Sequence, residues 1–268
     1  MTPAAPLPAR APARPHPAAF RTRLAAGERL LGTFIKTPTG HAIEILGGLG
    51  FDFAVVDEEH APFDRAAVDQ AVTSARAAGI AALVRVATAT PSNLMSVLDC
   101  GAVGVLVPHV ASAAQARAVA AACRYRGGRR GFSNSPRAGD YGGLAMWAHV
   151  DRCDAITTVV AQIEDPEALD EVEAIARVEG IDALFVGRGD LSVAMGATGS
   201  EAPEVRAAAE RITAAARAAG KPVMVFTGGA ADAAAMRAIG ATAFVVSSDQ
   251  GLLRQAAARV LDDFANIG

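Results

Sequence analysis

Glu164 and Asp190 close two short apolar runs, Thr158–Ile163 and Ala183–Gly187. Two carboxylates so placed offer hard oxygen ligands to a divalent cation and leave coordination places for water and substrate, an arrangement suited to Mg²⁺ and tolerated by Mn²⁺ or Co²⁺. A zinc site would call for a cluster of His or Cys. Either carboxylate could instead cap a helix, since Pro166 follows closely on Glu164 and another turn follows Asp190. His60 stands in Asp57-Glu58-Glu59-His60-Ala61-Pro62, directly after the run Phe53–Asp57. Its imidazole titrates in the range a general base needs; an exposed or structural histidine is the competing reading. Arg85 lies inside the apolar run Ala82–Val86, where an unpaired guanidinium is costly. It must meet an anionic ligand or a carboxylate, with Asp57 and Asp99 the available structural partners. Gly187-Arg188-Gly189-Asp190 could present successive backbone N–H groups to an anion. His109, after Gly104–Pro108, could line a pocket, whereas His16, His41 and His149 read as structural or solvated.

These residues need a scaffold that gathers strand ends. From Leu31 onward, eight apolar runs alternate with stretches of helical period: Leu31–Lys36, Phe53–Asp57, Ala82–Val86, Gly104–Pro108, Thr158–Ile163, Ala183–Gly187, Val223–Thr227 and Ala243–Ser247. They are nearly continuously apolar, as strands covered on both faces must be. The intervening helices are expected at Gly40–Leu49, Arg65–Ala78, Ser92–Cys100, Ala113–Cys123, Pro166–Glu179, Pro203–Ala219, Ala231–Ile239 and Gly251–Phe264, several ending at a glycine that can take a left-handed cap. Eight strand–helix units predict a (β/α)8 TIM barrel, whose chemistry sits at the C-terminal ends of the strands. A doubly wound sheet is the alternative, but Lys36-Thr37-Pro38-Thr39-Gly40 is not the Gly-rich first turn it wants. The long segment Tyr125–Asp154 reads as a functional excursion.

Composition narrows the classes. The 268 residues carry 25 Lys+Arg against 28 Asp+Glu, a net charge of −3, which argues against a nucleic-acid binder. Hydrophobic content is 51% with only 5% aromatic, so the core must be built of Val, Leu, Ile and Ala. Three cysteines without a Cys-x-x-Cys pair read as small buried hydrophobes in a reducing compartment. Residues 1–19 are Ala/Pro/Arg-rich and are expected to be a disordered tail ahead of a single barrel at 20–268; prolines interrupt any signal-peptide core. With no apolar run long enough to span a membrane, the expected location is the cytoplasm.

Leu31-Gly32-Thr33-Phe34, Asp57-x-Glu59-His60-Ala61-Pro62, Val84-Arg85-Val86, Leu98-Asp99-x-Gly101, Gln162-Ile163-Glu164 and Phe185-Val186-Gly187-x-Gly189-Asp190-Leu191-Ser192 together resemble the HpcH/HpaI aldolase family, over about Phe20–Ala265. The resemblance implies a metal-dependent, reversible aldol cleavage of a 4-hydroxy-2-oxo acid to pyruvate, or a close analogue, and an aldehyde. It places the metal ligands on Glu164 and Asp190, the base on His60, a transition-state-stabilising guanidinium on Arg85 and a histidine-tuning carboxylate on Asp99. It places substrate contacts on Arg85, Gln162, Gly189 and Asp190, with Mg²⁺, Mn²⁺ or Co²⁺ as cofactor, and implies a homohexamer with C-terminal helices exchanged between neighbours. By the same resemblance, a loop such as Arg130–Gly143 could select the aldehyde. Three positions depart from the family pattern: Glu58 stands where a small residue is usual, Arg188 where proline is, and Gly189 where alanine is. Glu58 either crowds His60 or faces outward.

Rival chemistries leave different marks. A Schiff-base aldolase needs a lysine at a strand's C-terminal end; of the two lysines, Lys221 precedes a strand and only Lys36 qualifies. A citrate-lyase-like enzyme acting on an acyl-CoA thioester would want a basic phosphate site, for which Arg124–Arg130 is the one candidate patch. A silent barrel serving as a binding protein would be free to lose Glu164, Asp190, His60 and Arg85, all of which are present.

Overall fold

The structure, a computed structural model, describes residues 15–265. Eight strands, β1 (Leu30–Ile35), β2 (Phe53–Asp57), β3 (Ala81–Arg85), β4 (Gly104–Val107), β5 (Thr158–Ile163), β6 (Ala183–Val186), β7 (Val223–Thr227) and β8 (Ala243–Ser248), pair in sequence order. All neighbours are parallel and β8 returns to β1, closing a (β/α)8 barrel. Closure excludes the open doubly wound sheet. The surrounding helices are α1 (Phe20–Ala25), α2 (His41–Leu49), α3 (Arg65–Ala78), α4 (Pro91–Asp99), α5 (Ala113–Cys123), α6 (Met146–Ile156), α7 (Ala168–Ala176), α8 (Arg188–Ala194), α9 (Pro203–Ala218), α10 (Ala230–Ile239) and α11 (Asp249–Ala265). Residues 1–14 of the expected tail lie outside the described residues, while Pro17–Ala19 form a short 3-10 turn leading into α1.

Strand side chains alternate between two cores, because successive residues point to opposite faces. Leu30, Phe34, Phe53, Val55, Leu83, Leu106, Val160, Phe185, Met224 and Val245 fill the barrel interior. Their neighbours Ile35, Ala54, Val56, Ala82, Val84, Val105, Val107, Val159, Ala161 and Val186 meet the helices outside. Burying the Val, Leu, Ile, Phe and Met side chains among them contributes about 1.5–3 kcal/mol each. Phe20 and Leu24 of α1 join the interior core from below, Phe20 lying 5.2 Å from Phe53 between ring centroids. Gly32 has no alternative, since a Cβ there would run into the Phe53 ring. Asp64, Thr90 and Ser112 cap α3, α4 and α5 by accepting from backbone N–H groups of the first turn.

The excursion between α5 and β5 packs at the N-terminal ends of the strands. A barrel helix runs antiparallel to its strand, so α5 ends beside the strands' N-terminal ends and the segment that follows stays there. Arg137 donates to the Cys100 carbonyl at 2.7 Å and pairs with Asp69, anchoring the segment to the start of the β4 unit. Within one chain, Arg130–Gly143 therefore does not line the C-terminal face. No helix among the described residues is long and apolar enough to cross a membrane, and the three cysteines are free and buried.

Candidate active site

The alternation that points Phe53 and Val55 at the barrel axis points Asp57 there too, and it does the same for Arg85 after Leu83, Gln162 after Val160 and Lys36 after Phe34. The uppermost interior layer is thus polar above a stack of apolar ones. Asp57 and Arg85 are register partners on β2 and β3. Arg85 Nε and Nη2 each donate to Asp57 at 2.8 Å, Nε lies 3.3 Å from Glu59, and the guanidinium sits 4.5 Å from the Phe34 ring centroid. Lys36 Nζ makes a 2.8 Å ion pair with the same Asp57. Burial opposes ionisation of Asp57, yet Arg85 and Lys36 outweigh it and hold the carboxyl at about 2. Of the two partners foreseen for Arg85, the structure selects Asp57.

Three donors converge beside this layer. Ligand atoms of Glu59, His109 and Glu164, from the ends of β2, β4 and β5, all lie within 4.8 Å of one another. Glu164 is 2% exposed. It accepts from the His109 backbone N–H at 2.9 Å and from the Gln162 amide nitrogen. Burial pushes the Glu164 carboxyl up to about 7; the Gln162 and His109 hydrogen bonds oppose the rise, and the charge of Asp190 adds to it. Burial also disfavours a charged His109, but Asp165, Glu164 and Glu59 prevail and raise its pKa. A divalent cation fits these residues. Two carboxylates and an imidazole supply its donors, the buried Gln162 Oε1 has no partner among the described residues, and Gly187 leaves room for Glu164 that a Cβ would take.

The other expected residues fall as follows. Asp190 is exposed in the first turn of α8, and Gly189 is exposed beside it. The residues read as a turn at Gly187–Asp190 are thus the start of a seven-residue helix. Arg188, 4% exposed, ties that helix to its neighbours through Glu201 at 2.7 Å, Asp232 at 2.5 Å and the Phe226 carbonyl at 2.9 Å. His60 is 56% exposed; its backbone N–H donates to Asp57 at 3.2 Å and its Nε2 lies 3.7 Å from Glu59. Glu58 turns outward, accepting from Ala87 N–H at 3.1 Å and Asn93 Nδ2 at 2.8 Å, so the crowding of His60 does not occur.

Asp99 is not brought to His60. It ends α4 at the opposite end of the barrel, where Arg130 Nη2 donates to it at 2.8 Å. The physical reason is the one that displaced the excursion: the C-terminal end of a barrel helix lies away from the C-terminal ends of the strands. Glu59 went unassigned in the sequence reading, which named Asp57 only as a possible partner of Arg85, Lys36 only as a Schiff-base candidate and His109 only as a pocket-lining residue, although side-chain parity along β1 and β2 places Lys36 and Asp57 inside the barrel mouth.

Comparison with known proteins identifies the family. The family model described as HpcH/HpaI aldolase/citrate lyase matches residues 30–256. A 5-keto-4-deoxy-D-glucarate aldolase of Klebsiella pneumoniae is 36% identical over 250 residues, covering 92% of this chain and 97% of that one. The crystal structure of an HpcH/HpaI aldolase/citrate lyase family protein from Burkholderia cenocepacia superposes with a TM-score of 0.88 at 29% identity, over 93% of this chain and 100% of that one. The citrate synthase SbnG follows with a TM-score of 0.84 at 26% identity, over 92% and 98%.

Proposed function

The chain belongs to the HpcH/HpaI aldolase/citrate lyase family and is a carbon–carbon lyase, and from this we propose that it catalyses the reversible, metal-dependent aldol cleavage of a 4-hydroxy-2-oxo acid to pyruvate, or a close 2-oxo acid, and an aldehyde. The observation that carries the reading is the convergence of Glu59, His109 and Glu164 next to the Asp57–Arg85 pair. The curated relative supports a diacid substrate: counted from its keto end, 5-keto-4-deoxy-D-glucarate is itself a 4-hydroxy-2-oxo acid with a second carboxylate.

Cleavage between C3 and C4 leaves negative charge on the 2-oxo oxygen; Glu164 with Asp190 would hold a divalent ion, Mg²⁺, Mn²⁺ or Co²⁺, which when bound would supply Lewis-acid stabilisation of that charge. Arg85 adds a fixed positive centre. Asp57 occupies its Nε and Nη2, which holds the guanidinium plane still and leaves Nη1 to donate to the developing oxyanion. His60, the exposed base at the mouth, takes the proton of the 4-hydroxyl directly or through a water. Gln162 and Gly189 contact the 2-oxo acid. Tuning of His60 by Asp99 is possible only between copies of the chain, because α4 ends at the far side of its own barrel. Leu253, Leu261 and Phe264 of α11 are 67–71% exposed and offer an apolar face to a neighbouring subunit, in keeping with a hexamer.

The test is a panel of 4-hydroxy-2-oxo acids, 5-keto-4-deoxy-D-glucarate among them, assayed for pyruvate release with each metal and with EDTA. Metal-dependent turnover of at least one supports the reading. Turnover of citryl or malyl thioesters alone would move the chain to the acyl-CoA branch, and no turnover of either class would favour a binding protein.

A further inference from the structure

We propose that Lys36 recognises the far end of the substrate: its ammonium receives the second carboxylate of a 4-hydroxy-2-oxo diacid, so that the enzyme prefers diacids to their uncharged analogues. The inference rests on the aldol-cleavage reading of the site and gives a partner to the half of the substrate which that reading leaves without one.

Strand parity brings Lys36 to the mouth, two residues after Phe34 on β1. Its main chain is held there on both sides. Asp249, at the start of α11, accepts from the Lys36 N–H at 2.8 Å and from the Thr37 N–H at 3.1 Å, and Gln250 Nε2 donates to the Lys36 carbonyl at 3.4 Å. A backbone fixed in this way can place a charge accurately. Lys36 Nζ lies 2.8 Å from Asp57 Oδ2, a contact that uses one of the three N–H groups of an ammonium. The lysine side chain is 26% exposed, so the remaining donors are open to a ligand. Arg85 already donates to both oxygens of Asp57. Asp57 therefore has a partner at each oxygen without Lys36, whose charge is additional.

The order of the strands gives the direction. Arg85, Asp57 and Lys36 stand in a row on β3, β2 and β1, and in the closed ring β1 lies across the mouth from β5, which carries Gln162 and leads into Glu164. A 2-oxo acid held at Gln162 and Glu164, with its 2-oxo oxygen at Arg85, sends the atoms beyond C4 along this row towards β1. The floor there is apolar. Lys36 Nζ lies 5.8 Å from the Phe34 ring centroid, and Phe226 at the end of β7, 41% exposed, lies 6.1 Å from Phe34 between centroids. A carboxylate arriving over such a floor needs a cation that also donates hydrogen bonds, because desolvating it unpaired is costly. Lys36 supplies that cation, while Arg85 is committed to Asp57 through Nε and Nη2.

The experiment compares full-length wild type, Lys36→Met and Lys36→Arg in the presence of Mn²⁺. Each is assayed on the 4-hydroxy-2-oxo diacid that the wild type turns over best, 5-keto-4-deoxy-D-glucarate being tried first, and on its analogue with a hydroxymethyl group in place of the distal carboxylate. The wild type is expected to favour the diacid in kcat/KM. Lys36→Met should lower that preference about 10- to 100-fold, chiefly through the KM of the diacid, and Lys36→Arg should keep part of it. A lysine that only steadied Asp57 and Arg85 would depress both substrates alike and leave their ratio where it was. That result, or a wild type that does not prefer the diacid, overturns the assignment and leaves the aldol reading intact. Failure of the wild type to release pyruvate from any 4-hydroxy-2-oxo acid overturns both. Lys36→Gln repeats the comparison if Lys36→Met does not fold.

Discussion

Asp57 and Arg85 sit opposite each other in the register of β2 and β3 and close a two-point pair, each N···O distance 2.8 Å, at the top of the barrel interior. Lys36 binds the same carboxylate from β1, so one buried anion fixes two cations at the mouth. Removing one member of such a pair strands the other. Asp57→Asn is expected to cost about 3–5 kcal/mol in urea unfolding and to lower kcat/KM through the loosened Arg85. An Arg85→Met/Asp57→Asn double variant should be less destabilised than the sum of the singles.

The same residue sets an acid limit. Its carboxyl titrates at about 2 in the fold against 3.8 ordinarily, so the unfolded chain binds the proton more readily. The stabilisation is complete above the ordinary value and is lost as pH falls from about 4 towards about 2, a loss of roughly 2 kcal/mol. Unfolding free energies followed over that interval should show the decline in wild type and a shallower one in Asp57→Asn.

Glu58 braces the loop after β2 against the start of α4 through Ala87 and Asn93 and does not bear on His60. Glu58→Ala is expected to lower stability by about 1–3 kcal/mol while leaving the pH profile of kcat/KM in place. A shifted profile would restore the crowded reading of the histidine.

His60→Ala should lower kcat by about 10²- to 10⁴-fold with metal affinity retained, since its ring is not among the converging donors. Calorimetric titration with Mn²⁺ beside steady-state rates separates the two effects.

Lys36 spends its ammonium on Asp57, and Lys221 donates to the Val178 carbonyl beneath the barrel. Neither is placed to form a Schiff base. Borohydride added with pyruvate should leave the intact mass unchanged, and a trapped adduct would reinstate the lysine mechanism.

The barrel was legible because each strand is a short apolar run and each helix has its own period; Phe53–Asp57, Arg65–Ala78, Ala113–Cys123, Thr158–Ile163 and Val223–Thr227 fall where the sequence puts them. α8 was hidden by Gly187 and Gly189, which read as turn, although Arg188 anchors the segment as helix. Glu164, Asp190, His60 and Arg85 were visible as strand-end residues. The Asp57 pairings and the Glu59–His109–Glu164 convergence depend on contacts between strands that no single segment displays. Asp99, which the resemblance gives as the carboxylate tuning His60, ends α4 at the far end of its own barrel, because a barrel helix runs antiparallel to its strand.

The most direct measurement needs no knowledge of the aldehyde. Pyruvate and 2-oxobutanoate are incubated with the enzyme in D₂O and the C3 protons followed by NMR, with Mn²⁺, Co²⁺ or Mg²⁺ present or removed by EDTA. The account predicts deuterium exchange at C3 that requires the metal, stops in Glu164→Ala although that variant stays folded, and falls sharply in Arg85→Met. Exchange that continues unchanged in EDTA, or none on either acid with any of the three ions, would contradict it.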